Sequence, residues 1–173
     1  NYIGLLPSGV ASANLQGVVV SGASGRIGDL GVGQGNVISG NTEHGILTTQ
    51  GSTDTSIRNN FIGADPTGAA ARANGTGMNH FNGSGSWRDI TYNLISGNTG
   101  AGIRLETDDS ITPSTDTVRI QRNRIGFNRT LSALLANGGD GIFFDSGSIS
   151  NVLIGGVAAS EGNEISGGND GID

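Results

Sequence analysis

The chain has 173 residues, enough for one domain, yet only 34% of them are apolar, 5% are aromatic and 32 are glycine. It has no cysteine and no lysine, which excludes disulfides, thiolate metal sites, phosphate-loop lysines and Schiff bases. The net charge of −6 disfavours nucleic acid as a partner, and no stretch approaches the ~18 apolar residues of a membrane span. We therefore expect neither nucleic-acid binding nor membrane insertion.

A repeated tripeptide, Asn-x-Ile, organises the chain from its first residue to its last segment. Two versions alternate: in one the isoleucine is followed by glycine and a long polar stretch, and in the other by Ser-Gly. Each copy then leads to a glycine that precedes an apolar residue, as in Gly45-Ile46 and Gly102-Ile103. A fixed internal pattern is typical of repeat architectures, and this one indicates three pairs of coils. The tripeptide begins at Asn1, Asn36, Asn60, Asn93, Asn123 and Asn163.

The segments between the tripeptides predict short strands. Runs such as IRL, IFF and VRI alternate apolar and polar residues with a period of two, and only residues 131–136 could form a turn or two of helix. Strands this short cannot bury a face alone, so each coil must stack on the next at a spacing of ~4.8 Å. The sequence therefore predicts an all-β solenoid, a parallel β-helix of about five to six coils with long loops, forming one domain over residues 1–173.

The repeated residues have physical roles in such a stack. Isoleucine is β-branched and suits an inward-facing column of a pleated sheet. Asparagine amides both donate and accept hydrogen bonds, and asparagine tolerates the left-handed backbone of a corner. We therefore predict a structural ladder of stacked amides, made by Asn36, Asn60, Asn93, Asn123 and Asn163.

The stretches NVISGNTEHGI, NFIGADPTG and NVLIGGVAASEGNEISG resemble a known family. They are similar to the tandem right-handed parallel β-helix repeats of large secreted bacterial surface proteins, whose fold is pectin-lyase-like. The resemblance covers nearly the whole chain, and it implies a right-handed, single-stranded solenoid at an extracellular or cell-surface location in a bacterium or archaeon. Because this fold hosts lyases, glycosidases, adhesins and spacers, the resemblance does not fix an activity.

An acidic cluster is the main candidate site. Strand alternation makes Glu106 and Asp145 vertical neighbours on an outer face, with Arg104 beside them and Asp108 and Asp109 on the adjoining loop. Facing carboxylates suit a glycosidase or a calcium site, so these five residues are the candidate catalytic group and the four acids are the candidate calcium ligands. No other cofactor is expected. The alternative is a solvated acidic edge whose repulsion Arg104 and water relieve.

Three further features carry weaker expectations. His44 is expected at a surface corner and His80 on an inward column as a hydrogen-bonded core histidine. The middle residues of the tripeptide form an apolar outer stripe, which either the long loops cover, through leucines of residues 131–135, or a ligand binds. Four arginines on neighbouring coils either bind a carboxylated sugar through paired hydrogen bonds or balance charge: Arg58, Arg119, Arg122 and Arg124.

The ends of the pattern shape the functional expectation. The chain opens at Asn1, the first residue of a tripeptide, and stops just inside a predicted strand, whereas solenoid ends need polar caps or partners. We therefore expect a segment of a longer solenoid or a subunit that stacks end to end, with adjoining coils or further copies as partners. The predicted function is that of a non-catalytic structural, adhesive or filament-forming surface protein. The alternative is a carbohydrate-active enzyme, a polysaccharide lyase or glycoside hydrolase acting on an acidic polysaccharide.

Overall fold

The computed structural model describes residues 1–22, 24–49, 54–81, 87–106, 117–145 and 151–173. These residues form strands and loops and no helix, so no helix that could cross a membrane occurs among them. Asp108 and Asp109 lie outside the described residues. The strands are β1 (Tyr2–Ile3), β2 (Gln16–Val20), β3 (Arg26–Ile27), β4 (Val37–Ile38), β5 (His44–Thr48), β6 (Thr55–Arg58), β7 (Phe61–Ile62), β8 (Thr76–Phe81), β9 (Trp87–Thr91), β10 (Leu94–Ile95), β11 (Ile103–Glu106), β12 (Val118–Gln121), β13 (Arg124–Ile125), β14 (Ile142–Asp145), β15 (Val152–Ile154) and β16 (Glu164–Ile165).

The strands form three parallel sheets that wind as a right-handed β-helix, as predicted. Each coil contributes one strand to each sheet, and β16 starts a sixth coil after five complete ones. The first sheet has the order β1-β4-β7-β10-β13-β16, the second β2-β5-β8-β11-β14 and the third β3-β6-β9-β12-β15. The short strands pair only between coils, which is why they are stable at two to six residues.

The core is built from three columns of apolar side chains, one from each sheet. The inward-facing isoleucine column was predicted, and the register confirms it: Ile62 pairs with Ile95. In the other two sheets Ile57 pairs with Ile90 and Met78 with Ile103. These side chains are fully buried. A branched aliphatic side chain that lies over its equivalent in the next coil fills the interior at each level.

The predicted asparagine ladder is confirmed. The backbone N–H and the side-chain Nδ2 of Asn60 both donate to Oδ1 of Asn93, at 3.0 and 3.1 Å, and Asn93 donates to Asn123 in the same way at 3.0 Å. Nδ2 of Asn93 also donates to the carbonyl of Ile57 at 2.9 Å. The same pattern links Asn36 to Asn60 and Asn123 to Asn163. Each interior amide is therefore fully hydrogen-bonded without water.

A second ladder runs along the start of the second sheet, and the sequence reasoning missed it. Its Nδ2-to-Oδ1 distances are 2.9–3.1 Å. A signal was present, because an asparagine lies three or four residues before each glycine that starts the second-sheet strand. In both ladders the bonds between asparagines run from a donor in the earlier coil to Oδ1 in the later one, whereas Nδ2 also donates back to a carbonyl of the earlier coil, as from Asn93 to Ile57 and from Asn74 to Ile38. The members are Asn14, Asn41, Asn74, Asn98 and Asn137.

Left-handed backbone occurs one residue earlier than predicted. The ladder asparagines have no positive φ; instead Asn59, Tyr92 and Arg122, which precede Asn60, Asn93 and Asn123, have φ of 58°, 60° and 58°. A ladder asparagine needs an ordinary backbone conformation to direct its backbone N–H at Oδ1 of the asparagine in the next coil. The left-handed corner therefore falls on the residue before it. Asparagine accommodates this conformation, whereas tyrosine and arginine are strained in it.

The glycines at or next to the start of the second-sheet strands, such as Gly45, are required for space. Their φ is not positive. At Gly45 a Cβ would lie 2.6 Å from the carbonyl oxygen of Gly77 and 2.9 Å from Nδ2 of Asn74. The close approach of one coil to the next therefore excludes a side chain here. Two glycines of the Ser-Gly pairs do have positive φ, 78° at Gly40 and 74° at Gly97, whereas the equivalent Gly167 does not.

The long loops of alternate coils fold into small hairpins. Phe127 pairs with Leu134 in an antiparallel bridge, and the N–H of Leu135 donates to the carbonyl of Gly126 at 2.9 Å, so the helical turn predicted for residues 131–136 is wrong. Leu131 and Leu134 are exposed. Loop glycine Gly68 instead covers the apolar stripe, because a Cβ there would lie 3.0 Å from Leu94, which is 4% exposed.

Candidate functional site

Glu106 and Asp145 are neighbours on the outer face of the second sheet, at the ends of β11 and β14. Arg104 lies two residues before Glu106 on the same face. Its Nη2 lies 2.7 Å from Glu106 Oε1 and also contacts Asp145 Oδ2, to which Nε donates at 3.1 Å. The same guanidinium lies 5.9 Å from the centre of the Phe143 ring. One guanidinium therefore pairs with both carboxylates and relieves the repulsion between them.

This arrangement matches the expected solvated acidic edge more closely than a metal centre. A calcium ion takes six or more oxygen ligands, and here two carboxylates already share an arginine. Among the residues described, no three Asp, Glu or His side chains are grouped to hold a metal ion. Asp108 and Asp109 belong to the predicted cluster but lie outside the described residues. The predicted catalytic and calcium-binding roles of all five residues stay predictions.

The two histidines occupy different environments. His80 lies on the inward column, as predicted, and its Nδ1 is 2.7 Å from Oγ1 of buried Thr48. Burial lowers the pKa of His80 to about 4. His44 is the first residue of β5 and is half-buried, so it is less exposed than predicted, and its Nδ1 is buried without a hydrogen-bond partner. Burial lowers the pKa of His44, and the carboxylates of Glu43 and Glu106 only partly offset this.

The four predicted arginines separate into two groups. Arg58 and Arg119 lie on the third sheet and share Asp89: Arg58 Nη2 is 2.5 Å from Oδ2 and Arg119 Nη1 is 3.9 Å from Oδ1. Pairing with Asp89 therefore accounts for Arg58 and, at the longer distance, for Arg119. Arg122 and Arg124 lie at the corner between the third and first sheets and face a different surface.

That surface is a groove of about 420 Å³, which we call the arginine groove. Its charged residues are Arg122, Arg124, Arg129 and Glu164, and its aromatic residues are Phe61 and Tyr92. It runs along the corner from the third coil, which carries Phe61, to the sixth, which carries Glu164. Three guanidinium groups face one carboxylate in a protein whose net charge is −6, so positive charge is concentrated at this place.

The guanidinium groups of the arginine groove have few partners of their own. Arg122 Nε donates to the carbonyl of Ser160 at 2.8 Å, and its Cζ lies 5.3 Å from the Tyr92 ring centre. Arg129 Cζ lies 5.6 Å from the Phe61 ring centre. Arg124 donates to the carbonyl of Arg129, and its Nε is 3.8 Å from Glu164 Oε2. Sequence reasoning found Arg122 and Arg124 but missed Arg129, because its position depends on a loop.

Comparison with known proteins gave no match: no family model matches the chain, and no characterised protein or solved structure is significantly similar to it. The surface-protein resemblance of the repeat stretches is therefore supported only at the level of the parallel β-helix architecture.

Proposed function

We propose that the chain is a non-catalytic structural rod of an extracellular or cell-surface protein, which lengthens by stacking further rungs along its axis. The observation that supports this most directly is the common direction of the two asparagine ladders. In each, Nδ2 of one coil donates to Oδ1 of the next, as at Asn60 to Asn93 and Asn74 to Asn98. The extracellular location comes only from the resemblance of the repeats.

The direction of the bonds between ladder asparagines restricts how a further coil can stack on either end of the solenoid. At the outer edge of the first coil the two ladders present the Oδ1 acceptors of Asn1 and Asn14, whereas at the outer edge of the sixth coil Asn163 of the first ladder presents N–H donors. The second ladder ends at Asn137 in the fifth coil. Two first-coil edges brought together would place the ladder acceptors against one another, so neither ladder would continue across the contact. A head-to-tail contact pairs the donors of Asn163 with the acceptor of Asn1 and continues the first sheet from β16 to β1. The proposal applies equally to a rung from the same polypeptide and to one from another copy.

The test is whether the 173-residue chain grows end to end. We expect sedimentation and electron microscopy to show linear assemblies whose length increases with protein concentration. Ile165→Arg places a charge on the last inward residue of the first sheet, which is only half-buried, and should block growth. Val157→Arg adds the same charge to a fully exposed loop residue and should not. A monomer at every concentration, with the native circular dichroism spectrum, would refute the proposal.

The alternative, an enzyme acting on acidic polysaccharide, rests on the adjacency of Glu106 and Asp145. Retaining glycosidases do hold two carboxylates close together, but they need one as a free nucleophile and the other as a proton donor, and here Arg104 pairs with both. We expect no depolymerisation of acidic polysaccharides, with or without calcium. Activity that is lost in both Glu106→Ala and Asp145→Ala would favour the enzyme instead.

A further inference from the structure

The arginine groove has an excess of positive charge and unused hydrogen-bond donors. Among the residues described, no side chain or carbonyl accepts a hydrogen bond from the Arg129 guanidinium, and Arg122 uses its Nε and only weakly its Nη2, at 3.4 Å from Ser160 Oγ. Arg58 and Arg119 differ, because both face the carboxylate of Asp89. We propose that the arginine groove binds a sugar that carries an oxyanion, either a carboxylate or a sulfate.

The aromatic rings leave the binding edges of two guanidinium groups available. The guanidinium carbon of Arg122 lies 5.3 Å from the Tyr92 ring centre and that of Arg129 lies 5.6 Å from the Phe61 ring centre. A cation–π contact of this kind holds the guanidinium in place without using its N–H groups as hydrogen-bond donors. A planar fork of donors fixed in direction is the arrangement that binds a carboxylate or another oxyanion through two parallel hydrogen bonds.

Two corner residues of the arginine groove are of types that disfavour the left-handed backbone conformation found there. Asn59, Tyr92 and Arg122 occupy equivalent corners with φ near 60°, and asparagine at the first of them shows which residue type suits the conformation. Tyrosine and arginine at the next two cost stability. Strained residues of this kind concentrate at binding sites, and here both project into the same groove.

A sugar suits the remaining groups better than a bare anion. Glu164 is about half exposed and 3.8 Å from Arg124 Nε, so its carboxylate has acceptor capacity left for hydroxyl groups. The groove is elongated along several coils, and a bare sulfate would leave most of it empty. The proposal does not depend on axial stacking, since every residue concerned lies on the side of the solenoid.

The test is calorimetric titration of the full 173-residue chain with four probes: a uronic acid trisaccharide, a sulfated disaccharide, a neutral trisaccharide and sodium sulfate. We expect one of the two acidic sugars to bind, which identifies the anion, and the neutral sugar to bind at least about tenfold more weakly. Equal binding of the neutral sugar, equal binding of sodium sulfate, or no binding of either acidic sugar at millimolar concentration would each overturn the proposal.

Matched variants locate the site. Arg122→Asn installs the residue that suits the left-handed corner, so the fold should be retained while affinity for the acidic sugar falls about tenfold or more. Arg129→Gln should weaken binding similarly. Arg119→Gln removes an arginine outside the groove and should leave the affinity unchanged. If Arg119→Gln weakens binding as much as Arg122→Asn, the sugar is attracted by general charge and the arginine groove is not the site. Sedimentation measures end-to-end assembly independently, so failure of sugar binding and failure of assembly are distinguished.

Discussion

Replacing one interior ladder asparagine should be among the most damaging single substitutions in this protein. Asn93 is 1% exposed, and its side chain takes part in four hydrogen bonds, two as acceptor from Asn60 and two as donor, to Asn123 and Ile57. Leucine has a similar size but neither donates nor accepts. Asn93→Leu leaves the buried N–H of Asn60 without a partner, and a buried unsatisfied group costs about 1–3 kcal/mol, with about 1 kcal/mol for each further bond lost. We therefore expect a loss of about 4–6 kcal/mol in the free energy of unfolding.

The matched control is another buried asparagine outside the ladders. Asn79 lies on the outer face of β8, is 4% exposed, and its Oδ1 is buried without a hydrogen-bond partner. Replacing an unsatisfied polar group by an apolar one of similar shape is nearly neutral or stabilising, so Asn79→Leu should change the free energy of unfolding by less than about 1 kcal/mol. Urea unfolding followed by circular dichroism measures both. Equal losses for Asn93→Leu and Asn79→Leu would refute the ladder as the source of stability.

Three further substitutions test other parts of the structure by urea unfolding. Tyr92→Asn places a residue that accommodates the left-handed corner and should raise the free energy of unfolding by about 0.5–1 kcal/mol. The control is Tyr92→Phe, which keeps the strain. If the asparagine variant is less stable than the phenylalanine variant, the corner is not strained. Burial lowers the pKa of His80 in the folded protein to about 4, below its ordinary value of 6.5. As the pH falls, the unfolded chain therefore binds the proton first, and the free energy of unfolding should decrease by about 2 kcal/mol between pH 7 and pH 5. His80→Leu, which matches Leu105 in the next coil, should lack that loss, and an unchanged pH dependence would contradict it. Arg104→Gln leaves Glu106 and Asp145 without their shared cation and should lower the free energy of unfolding by about 1 kcal/mol at pH 7. Adding Asp145→Asn should restore it. No loss in the single variant would show that solvent screens the two carboxylates without Arg104.

The sequence predicts the interior of this solenoid well because stacking imposes the same demand on every coil. Ile95 and Asn93 recur at a fixed spacing since each must meet its equivalent above and below. The adjacency of Glu106 and Asp145 also followed from register alone, once the glycines before each strand had been aligned. These are consequences of parallel pairing, and they need no knowledge of loop conformation.

Other features could not be predicted, either because a local turn explained the same residue or because the residue does not recur in every coil. Asn41 and Asn98 stand in Ser-Gly-Asn-Thr, where a turn alone explains an asparagine, so the second ladder went unseen. The left-handed corner was assigned to Asn60 because asparagine tolerates it, whereas Asn59 has the positive φ. Arg129 lies in a loop that does not repeat in every coil, and only the folded loop stacks it over Phe61.

The contrast between the inner and outer surfaces indicates where selection for function can act. An interior position such as Asn93 or Ile95 is fixed by its neighbours, so its identity reports on the fold alone. An outer position is free to vary, and most variation there costs little. Tyr92 and Arg122 are different again, because they are outward residues whose backbone conformation opposes their own preference. Folding does not account for tyrosine and arginine at these corners, whereas the ligand proposed for the arginine groove does. These two residues are therefore the observation on which that proposal most depends.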